Sequence, residues 1–427
     1  MKWTFYFLLT SVIICLAIPS ANGQNAQNYL IVPSRIFDGQ TIHEDWAVLI
    51  EKGKIKAVGP LAQLVIPDPV KRLNLPGTTL LPGLIEGHSH LLLHPYNETS
   101  WNDQVLVESE AERVVRATIH ARKTIEAGFT TVRDLGSEGA GYADVGVKQA
   151  IEKGIIPGPR MLVAGPAIVA TGSYGPKGFA PHVDVPQGAD EADGHDNLIK
   201  VVREQMGKGA DVVKVYADYR WGLGGEARAT FSLEELQLMV KTAASSGRSV
   251  VAHAGTAEGM RRAILAGVVS IEHGDAGTPE IFKLMAEKGV ALCPTLAAGD
   301  AILQYRGWRK GVDPDPERIV QKRQSFRQAL DAGVIIVAGG DVGVFTHGDN
   351  ARELEMMVEY GMKPVEVLKS ATSVNARVFG LDSQLGAIRP GLFADLIVVD
   401  GKPDQNIGDL RNIRLVMKEG TIVIEKQ

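Results

Sequence analysis

The chain has 427 residues, of which 45% are hydrophobic and 22% charged, and its formal net charge is −5. This composition is typical of a soluble globular protein, and the length allows a large core in one or two domains. It excludes the strong basic excess that nucleic-acid binding or an anionic membrane surface requires, so we expect neither as a partner.

The first 23 residues have the pattern of a secretory signal peptide. Lys2 precedes an apolar run over residues 5–18, and the small residues Ala21 and Gly23 follow at the alternating positions of a cleavage site. The run is shorter than the roughly 20 residues of a membrane span, and no other run reaches that length. We therefore expect a secreted or periplasmic protein without a membrane span once the signal is removed; the alternative is an uncleaved anchor.

Only one of the two cysteines, Cys293, lies outside the predicted signal, because Cys15 falls within it. An intrachain disulfide is therefore excluded in the mature chain, whose stability must come from packing. Cys293 lies in the apolar run 290–294, which predicts a buried small residue rather than a nucleophile.

Both ends of the remaining chain contain short strand-like pieces separated by Gly, Asp and Pro. They lie at residues 29–32, 46–50, 55–58, 394–399, 413–417 and 421–424. We expect the two ends, residues 24–80 and 381–427, to build one small β-domain. The middle, residues 81–380, is then inserted between them as a separate domain.

The inserted middle alternates strands with helices. Helical apolar spacing covers residues 110–127 and stops at Gly128. Other helices are predicted to begin at Ser232, with a capping box, and at Thr278, before a proline. The predicted strands are residues 78–85, 130–135, 161–164, 212–217, 249–253, 268–273, 290–294 and 334–338. Eight strands alternating with helices over about 300 residues predict an α/β fold, the (β/α)8 TIM barrel. An open doubly wound sheet is the alternative, but no Gly-rich phosphate loop follows the first strand.

Two histidines, His88 and His90, follow the first barrel strand. Side chains alternate across a strand, so positions i and i+2 face the same way and both imidazoles can reach one metal ion. By itself this pair is a weak signal, because two surface or capping histidines are the commoner explanation.

The ends of the other predicted barrel strands strengthen the metal interpretation. Catalytic side chains of such barrels come from the C-terminal ends of several strands. The fourth strand carries Lys214, the fifth and sixth end at His253 and His273, and Asp341 follows the eighth. Lys214 lies among valines, where burial lowers the pKa of an amine, and a neutral amine can take up carbon dioxide to form a carbamate. A salt-bridged lysine is the alternative.

This pattern resembles the amidohydrolase superfamily, and within it the binuclear branch with a carboxylated lysine. The resemblance rests on the His-x-His pair after the first strand, Lys on the fourth, His after the fifth and sixth, and Asp after the eighth. Residues 385–396 also resemble the return of such chains into a small β-sandwich built from both chain ends. Imidazolonepropionase-related prolidases and carboxypeptidase-like dipeptidases are the most similar, and ochratoxin amidohydrolases are similar as well.

The resemblance implies two divalent metal ions, for which imidazole and carboxylate ligands favour zinc. The implied ligands are, for one ion, His88, His90 and Asp341 and, for the other, His253 and His273. Lys214, as N6-carboxylysine, would bridge both ions together with a hydroxide. That hydroxide would attack the scissile carbonyl, and Asp341 would carry its proton to the leaving nitrogen.

Substrate contacts are expected from the loops beyond the barrel strands. The candidates are Tyr174, Tyr216, Tyr219, Arg220 and His347. Tyr216 lies two positions after Lys214 and therefore faces the same way, while Arg220 with its neighbouring tyrosine could bind a substrate carboxylate. Loop residues with solvated ends are the alternative.

The expected function is that of a metal-dependent amide hydrolase. It would release a C-terminal amino acid from dipeptides or N-acyl amino acids, with ochratoxin-type amides included. The expected partner is thus a small-molecule or dipeptide substrate. A homo-oligomer is a possible assembly. The alternatives are a cyclic-amide or lactone hydrolase on the same site and a non-catalytic binding protein. The latter would be expected to have lost ligands, and none is missing.

Overall fold

The computed structural model describes residues 27–426, so the predicted signal peptide lies outside the described residues. Within that range, no helix is both long and apolar enough to cross a membrane. The strands, in chain order, are β1 (Tyr29–Phe37), β2 (Ile42–Glu44), β3 (Trp46–Glu51), β4 (Lys54–Pro60), β5 (Lys71–Pro82), β6 (Leu84–Ser89), β7 (Phe129–Asp134), β8 (Arg160–Val163), β9 (Ile168–Val169), β10 (Asp190–Glu191), β11 (Val212–Tyr216), β12 (Asp218–Arg220), β13 (Ala227–Ala229), β14 (Ser249–Ala254), β15 (Ser270–His273), β16 (Ala291–Cys293), β17 (Leu396–Asp400), β18 (Ile413–Lys418) and β19 (Thr421–Glu425). The α-helices are α1 (Trp101–Leu106), α2 (Glu110–Glu126), α3 (Ala143–Glu152), α4 (Gly194–Gly207), α5 (Leu233–Ala244), α6 (Ala257–Ala266), α7 (Pro279–Lys288), α8 (Leu296–Tyr305), α9 (Glu317–Asp331), α10 (Ala351–Glu359), α11 (Pro364–Lys369) and α12 (Asn375–Val378).

The middle of the chain forms a (β/α)8 barrel, as predicted. Parallel pairing joins β6, β7 and β8, and it also joins β11, β14, β15 and β16. The two groups meet where Asp211 N, just before β11, donates to Val163 O of β8 at 2.8 Å. Residues 335–338 close the ring, because they bridge to β16 and their Ala338 O accepts from Gly87 N of β6.

The eighth barrel segment differs from the prediction of a full strand over residues 334–338. Only isolated bridges and single hydrogen bonds connect this segment to β16 and β6. The side chain of Asn375 explains the difference. Its Oδ1 accepts from Ala338 N at 3.0 Å, and its Nδ2 donates to Ala338 O at 2.8 Å and to Ile85 O at 2.9 Å. One side-chain amide thus replaces part of the strand ladder beside β6.

A second difference concerns the apolar run 78–85, for which the sequence predicts one strand. The structure divides this run at Gly83, so that β5 ends at Pro82 in a separate sheet and β6 begins at Leu84 in the barrel. A Cβ atom at Gly83 would lie only 2.1 Å from Thr130 Oγ1 on β7. Glycine is therefore required where the two sheets meet.

Both chain ends contribute to one eight-stranded sheet outside the barrel. Its order is β19-β18-β17-β5-β1-β3-β4, with β2 paired to β1. β5 connects the two ends, because it pairs in parallel with β1 and antiparallel with β17. Neighbouring residues of β5 face opposite sides, so Leu80 packs within this sheet while Leu81 joins the hydrophobic core of the barrel. This packing holds the sheet beside the first barrel strand.

The predicted helix starts are confirmed by their caps. α5 begins with the capping box, in which the Ser232 and Glu235 side chains accept from each other's backbone amides. Thr278 caps α7 through Ile281 N, and Pro279 occupies the first turn. These caps satisfy amides that a helix start leaves without partners, so nearby residues alone determine where these helices begin.

Candidate metal centre

The carboxyl ends of the barrel strands bring the six predicted ligands together. They lie on or directly after β6, β11, β14, β15 and the eighth segment, and they are His88, His90, Lys214, His253, His273 and Asp341. All except the lysine line one cavity of about 540 Å³. Lys214 is buried next to them, and its Nζ lies 3.4 Å from His88 Nε2.

Asp341 is in contact with both histidines of the His-x-His pair. Its Oδ1 lies 3.7 Å from His88 Nε2 and 3.2 Å from His90 Nε2. The ring centroids of His253 and His273 are 4.4 Å apart, and the ring of His273 is 5.3 Å from that of His88. Asp341 and His273 have φ values of +62° and +76°. Such conformations are rare for residues other than glycine and cluster at functional sites.

Three of the imidazoles are held in an orientation that suits metal binding. Each has Nδ1 hydrogen-bonded to a group outside the ligand set, which leaves Nε2 for the centre of the site. The Nδ1 partners, with their distances, are Glu272 for His88 (3.0 Å), the Gly136 carbonyl for His90 (2.9 Å) and the Thr295 hydroxyl for His273 (2.8 Å).

Burial keeps three of the imidazoles neutral. Burial, together with the charge of Lys214, lowers the pKa of His88 to about 4 and that of His253 to about 3. Burial also lowers the pKa of His273 well below its ordinary value, and it lowers the pKa of Lys214. Neutral imidazoles are the form that binds a metal ion, and a neutral amine is the form that reacts with carbon dioxide.

The contact between Asp341 and His90 has the opposite effect on protonation. Burial favours the neutral form of Asp341, but His88 and His90 outweigh it and lower the pKa of Asp341 to about 2. Burial also opposes the charged form of His90, yet the bond to Asp341 raises the pKa of His90 to about 9. Asp341 is therefore a carboxylate at neutral pH and can act as a ligand or accept a proton.

The arrangement fits a divalent metal centre. One ligand atom from each of His88, His273 and Asp341 lies within 4.8 Å of the other two. Imidazole nitrogens and carboxylate oxygens are donors that suit zinc and similar ions. Lys214 is 1% exposed, and among residues 27–426 no carboxylate lies within 4.0 Å of its Nζ, which disfavours the salt-bridged alternative.

Glu272, which is not among the candidates predicted from the sequence, supports this centre. Its Oε2 accepts from His88 Nδ1, and its Oε1 accepts from Arg133 Nη2 at 2.8 Å. Burial alone would raise the pKa of Glu272, but Arg133 and His88 lower it below its ordinary value. A signal was present, since Arg133 and Glu272 are charged residues inside predicted barrel strands and such residues require partners.

Replacement of Glu272 by Gln is expected to weaken metal binding by about 10- to 100-fold, as is typical for the hydrogen-bond partners of metal-binding histidines. Equilibrium dialysis against zinc measures the change, and circular dichroism reports whether the variant is folded. Glu234→Gln, at an exposed position on α5, is the matched control. Unaltered zinc affinity in a folded Glu272→Gln protein would contradict this role.

Four of the five candidate substrate residues line the same cavity, namely Tyr174, Tyr216, Tyr219 and Arg220. Tyr216 stacks on His253 with ring centroids 4.4 Å apart. Tyr174 contacts Tyr216 and Tyr219 at 4.6 and 4.9 Å, and Trp101 contacts Tyr174 at 5.4 Å. We call Trp101 and these three tyrosines the aromatic wall. It places apolar ring surface next to the candidate metal ligands.

His347, the fifth candidate, does not line the cavity. It is 2% exposed, its Nε2 donates to Leu93 O at 3.0 Å, and its ring stacks on His120 at 4.2 Å. Its position near the end of the eighth segment suggested a substrate contact, but the side chain points into the protein. Sequence proximity to a strand end does not determine which way a loop residue points.

Glu138 and Arg306 are two charged cavity residues that the sequence does not indicate. Glu138 lies in the loop after β7 and Arg306 follows α8. Neither occupies a strand end or a periodic position, so no sequence signal identified it. Among the described residues, neither Arg306 nor Arg220 has an acidic partner within 4.0 Å. The cavity therefore contains two guanidinium groups that are free to bind an anion.

Comparison with known proteins gives consistent matches. Residues 79–423 match the model of the Amidohydrolase family. Ochratoxinase from Aspergillus niger is 31% identical over 415 residues, which cover 88% of this chain and 81% of that protein. The crystal structure of a Xaa-Pro dipeptidase with bound methionine matches with a TM-score of 0.83 and 31% identity, over 94% of this chain and 100% of that one. A prolidase complexed with N-methylphosphonate-L-proline matches with a TM-score of 0.81 and 27% identity, over the same shares.

Proposed function

This chain belongs to the amidohydrolase family and is a hydrolase that acts on amide bonds, and from that premise we propose that it releases the C-terminal amino acid from dipeptides and N-acyl amino acids. The observation that carries the proposal is one cavity lined by five of the six candidate ligands and by two arginines that have no acidic partner within residues 27–426. A C-terminal carboxylate requires such a cation, and the amide bond requires the ligand set. The relative named Xaa-Pro dipeptidase also supports a dipeptide substrate.

We propose that the centre holds two divalent ions, zinc or similar. The residues assigned to them are His88, His90 and Asp341 for one ion, His253 and His273 for the other, and Lys214 for both. When bound, such ions polarise a carbonyl group and lower the pKa of water. Lys214 would contribute as a carbamate, N6-carboxylysine, because a buried amine without a carboxylate partner favours its neutral, reactive form.

Asp341 is the residue that we propose moves the proton. Its side chain is 14% exposed and lines the cavity, so it is accessible to both water and substrate. As a carboxylate at neutral pH, it can accept a proton from the attacking water and deliver it to the nitrogen of the leaving amino acid. The nitrogen requires this proton because an unprotonated amide anion is too basic to leave.

Arg220 is the proposed anchor for the substrate carboxylate. It ends β12 at the cavity, next to Tyr219 of the aromatic wall. A guanidinium group can bind a carboxylate through two parallel hydrogen bonds, which fixes both position and orientation. Arg306 is the second free cation of the cavity and could share this task.

Arg220→Met is expected to raise KM about 10-fold for substrates with a free C-terminal carboxylate, because hydrogen bonds to charged groups contribute about 1.5–3 kcal/mol. Steady-state kinetics on an N-acyl amino acid and on its C-terminal amide measure this effect, and the amide should respond little. Arg228→Met is the matched control, since Arg228 is exposed on the same hairpin and pairs with Glu226.

The complete proposal is tested with zinc-reconstituted wild-type protein and a library of dipeptides, N-acyl amino acids and ochratoxin-type amides. Release of a free C-terminal amino acid is the expected result. Cyclic amides and lactones are added to this library, and hydrolysis restricted to them would favour the alternative function, a cyclic-amide or lactone hydrolase on the same site. Such substrates have no need of a carboxylate anchor.

We also propose that the enzyme acts outside the cytoplasm, as a secreted or periplasmic protein. Residues 1–23 support this proposal, because a charged start, an apolar run and a small-residue cleavage site follow one another. Cys293 is compatible with such a compartment. It is fully buried, as predicted, so its thiol is protected from oxidation.

A further inference from the structure

Glu138 is a buried carboxylate at the cavity, and this carboxylate has no role in the proposed hydrolysis. Its side chain is 4% exposed, yet it contributes to the cavity lining beside the aromatic wall. Its φ of +50° is rare for a residue other than glycine. Backbone strain costs free energy and clusters at functional sites, and a buried charge is costly unless it is paired.

The two oxygens of this carboxylate have different surroundings. Oε2 accepts from Trp101 Nε1 at 2.9 Å and from Tyr174 OH at 2.6 Å, so the aromatic wall holds it in place. Oε1 accepts no hydrogen bond from the described residues and lies 4.0 Å from His90 Nδ1, which donates to Gly136 O instead. Gly136 provides the room, because a Cβ atom there would lie 3.0 Å from Oε1. Oε1 is thus a free acceptor next to a metal ligand.

His90 is the nearest basic group to the carboxylate of Glu138, at 4.0 Å, and no lysine or arginine side chain among the described residues pairs with it. Arg113 is close, but its guanidinium donates to the backbone oxygens of Glu138 and Ser137. The rings of the aromatic wall present negative faces that attract a cation. This part of the cavity therefore favours a cation, whereas Arg220 and Arg306 favour an anion.

We propose that Glu138 binds the free α-ammonium group of the substrate, so that unblocked dipeptides are preferred to N-acyl amino acids. The inference rests on the proposed function and narrows its substrate class. In a dipeptide, a single carbon atom separates the α-nitrogen from the scissile carbonyl, so an acceptor beside His90 is well placed for it. The ammonium offers three donors, one of which Oε1 accepts while the ring faces stabilise the charge.

The test compares L-alanyl-L-leucine with propionyl-L-leucine, which differ only in the ammonium group. With the wild-type enzyme, kcat/KM is expected to be about 10-fold or more higher for the dipeptide. Glu138→Gln keeps an oxygen that can accept from the aromatic wall but removes the charge. It should reduce kcat/KM for the dipeptide by about 10-fold or more and leave the propionyl substrate nearly unaffected. Glu226→Gln, exposed between β12 and β13, is the matched control.

Equal losses on both substrates would overturn the inference, because a residue that only orients His90 or the aromatic wall affects both alike. A wild-type enzyme without a preference for the dipeptide would also overturn it. That comparison needs no variant, so it can overturn the inference even if Glu138→Gln does not fold. If the proposed function is wrong, the result is different: the zinc-loaded wild-type enzyme cleaves neither substrate. The inference is then overturned as well, because it rests on that function.

Discussion

Replacement of Lys214 by Ala is expected to lower kcat/KM for a dipeptide by about 10³-fold or more and to reduce the bound metal. Metal-assisted hydrolysis is worth several kcal/mol, and each 1.4 kcal/mol or so corresponds to a tenfold change in rate. Lys214 is the one proposed ligand that both ions would share, so its loss affects the whole centre. Steady-state kinetics and elemental analysis of the purified variant measure the two effects.

Rescue by small acids tests whether Lys214 acts as a carbamate. The Ala variant leaves space next to His88 Nε2, which lies 3.4 Å from Nζ in the wild-type protein. Formate, acetate or propionate can supply a carboxylate there, and partial recovery of activity is expected. Lys214→Met is the matched control, because its apolar chain fills the same space and should prevent recovery. Full metal content and wild-type turnover in the Ala variant would rule out the carbamate.

Replacement of Asp341 by Asn is expected to lower kcat by about 10²- to 10⁴-fold, the usual contribution of a positioned proton-transfer group. Asn has nearly the same shape and still offers a carbonyl oxygen to a metal ion, but it cannot accept the proton. Most of the bound metal should therefore be retained, and elemental analysis checks this. Loss of activity in proportion to loss of metal would instead make Asp341 a ligand only.

The leaving group provides a sharper test of the same role. An ester in which a hydroxy acid replaces the C-terminal amino acid has a much less basic leaving group than the amide. Asp341→Asn should therefore slow the ester less than the matched dipeptide. An equal decrease in kcat for both substrates would contradict proton delivery to the leaving nitrogen.

The positions of the candidate metal ligands could be predicted because two local rules locate them. Alternation along a strand places His88 and His90 on one side, and parallel barrel strands bring their carboxyl ends to one mouth. Lys214 was conspicuous as a charged residue among valines. The structure brings these residues together with Asp341 around His88.

The sequence by itself determined the alternation of strands and helices in the middle of the chain, the caps of α5 and α7, and the positions that carry the candidate ligand side chains. These features depend on residues a few positions apart, whose geometry the backbone repeats of strands and helices dictate. Only the tertiary structure decided how the cavity is completed, because those contacts join distant parts of the chain. Glu272 meets His88 across 184 positions, Asn375 meets Ile85 across 290, and Glu138 meets Trp101 across 37. A partner at such a separation is selected by the packing of the whole barrel, which no local pattern encodes.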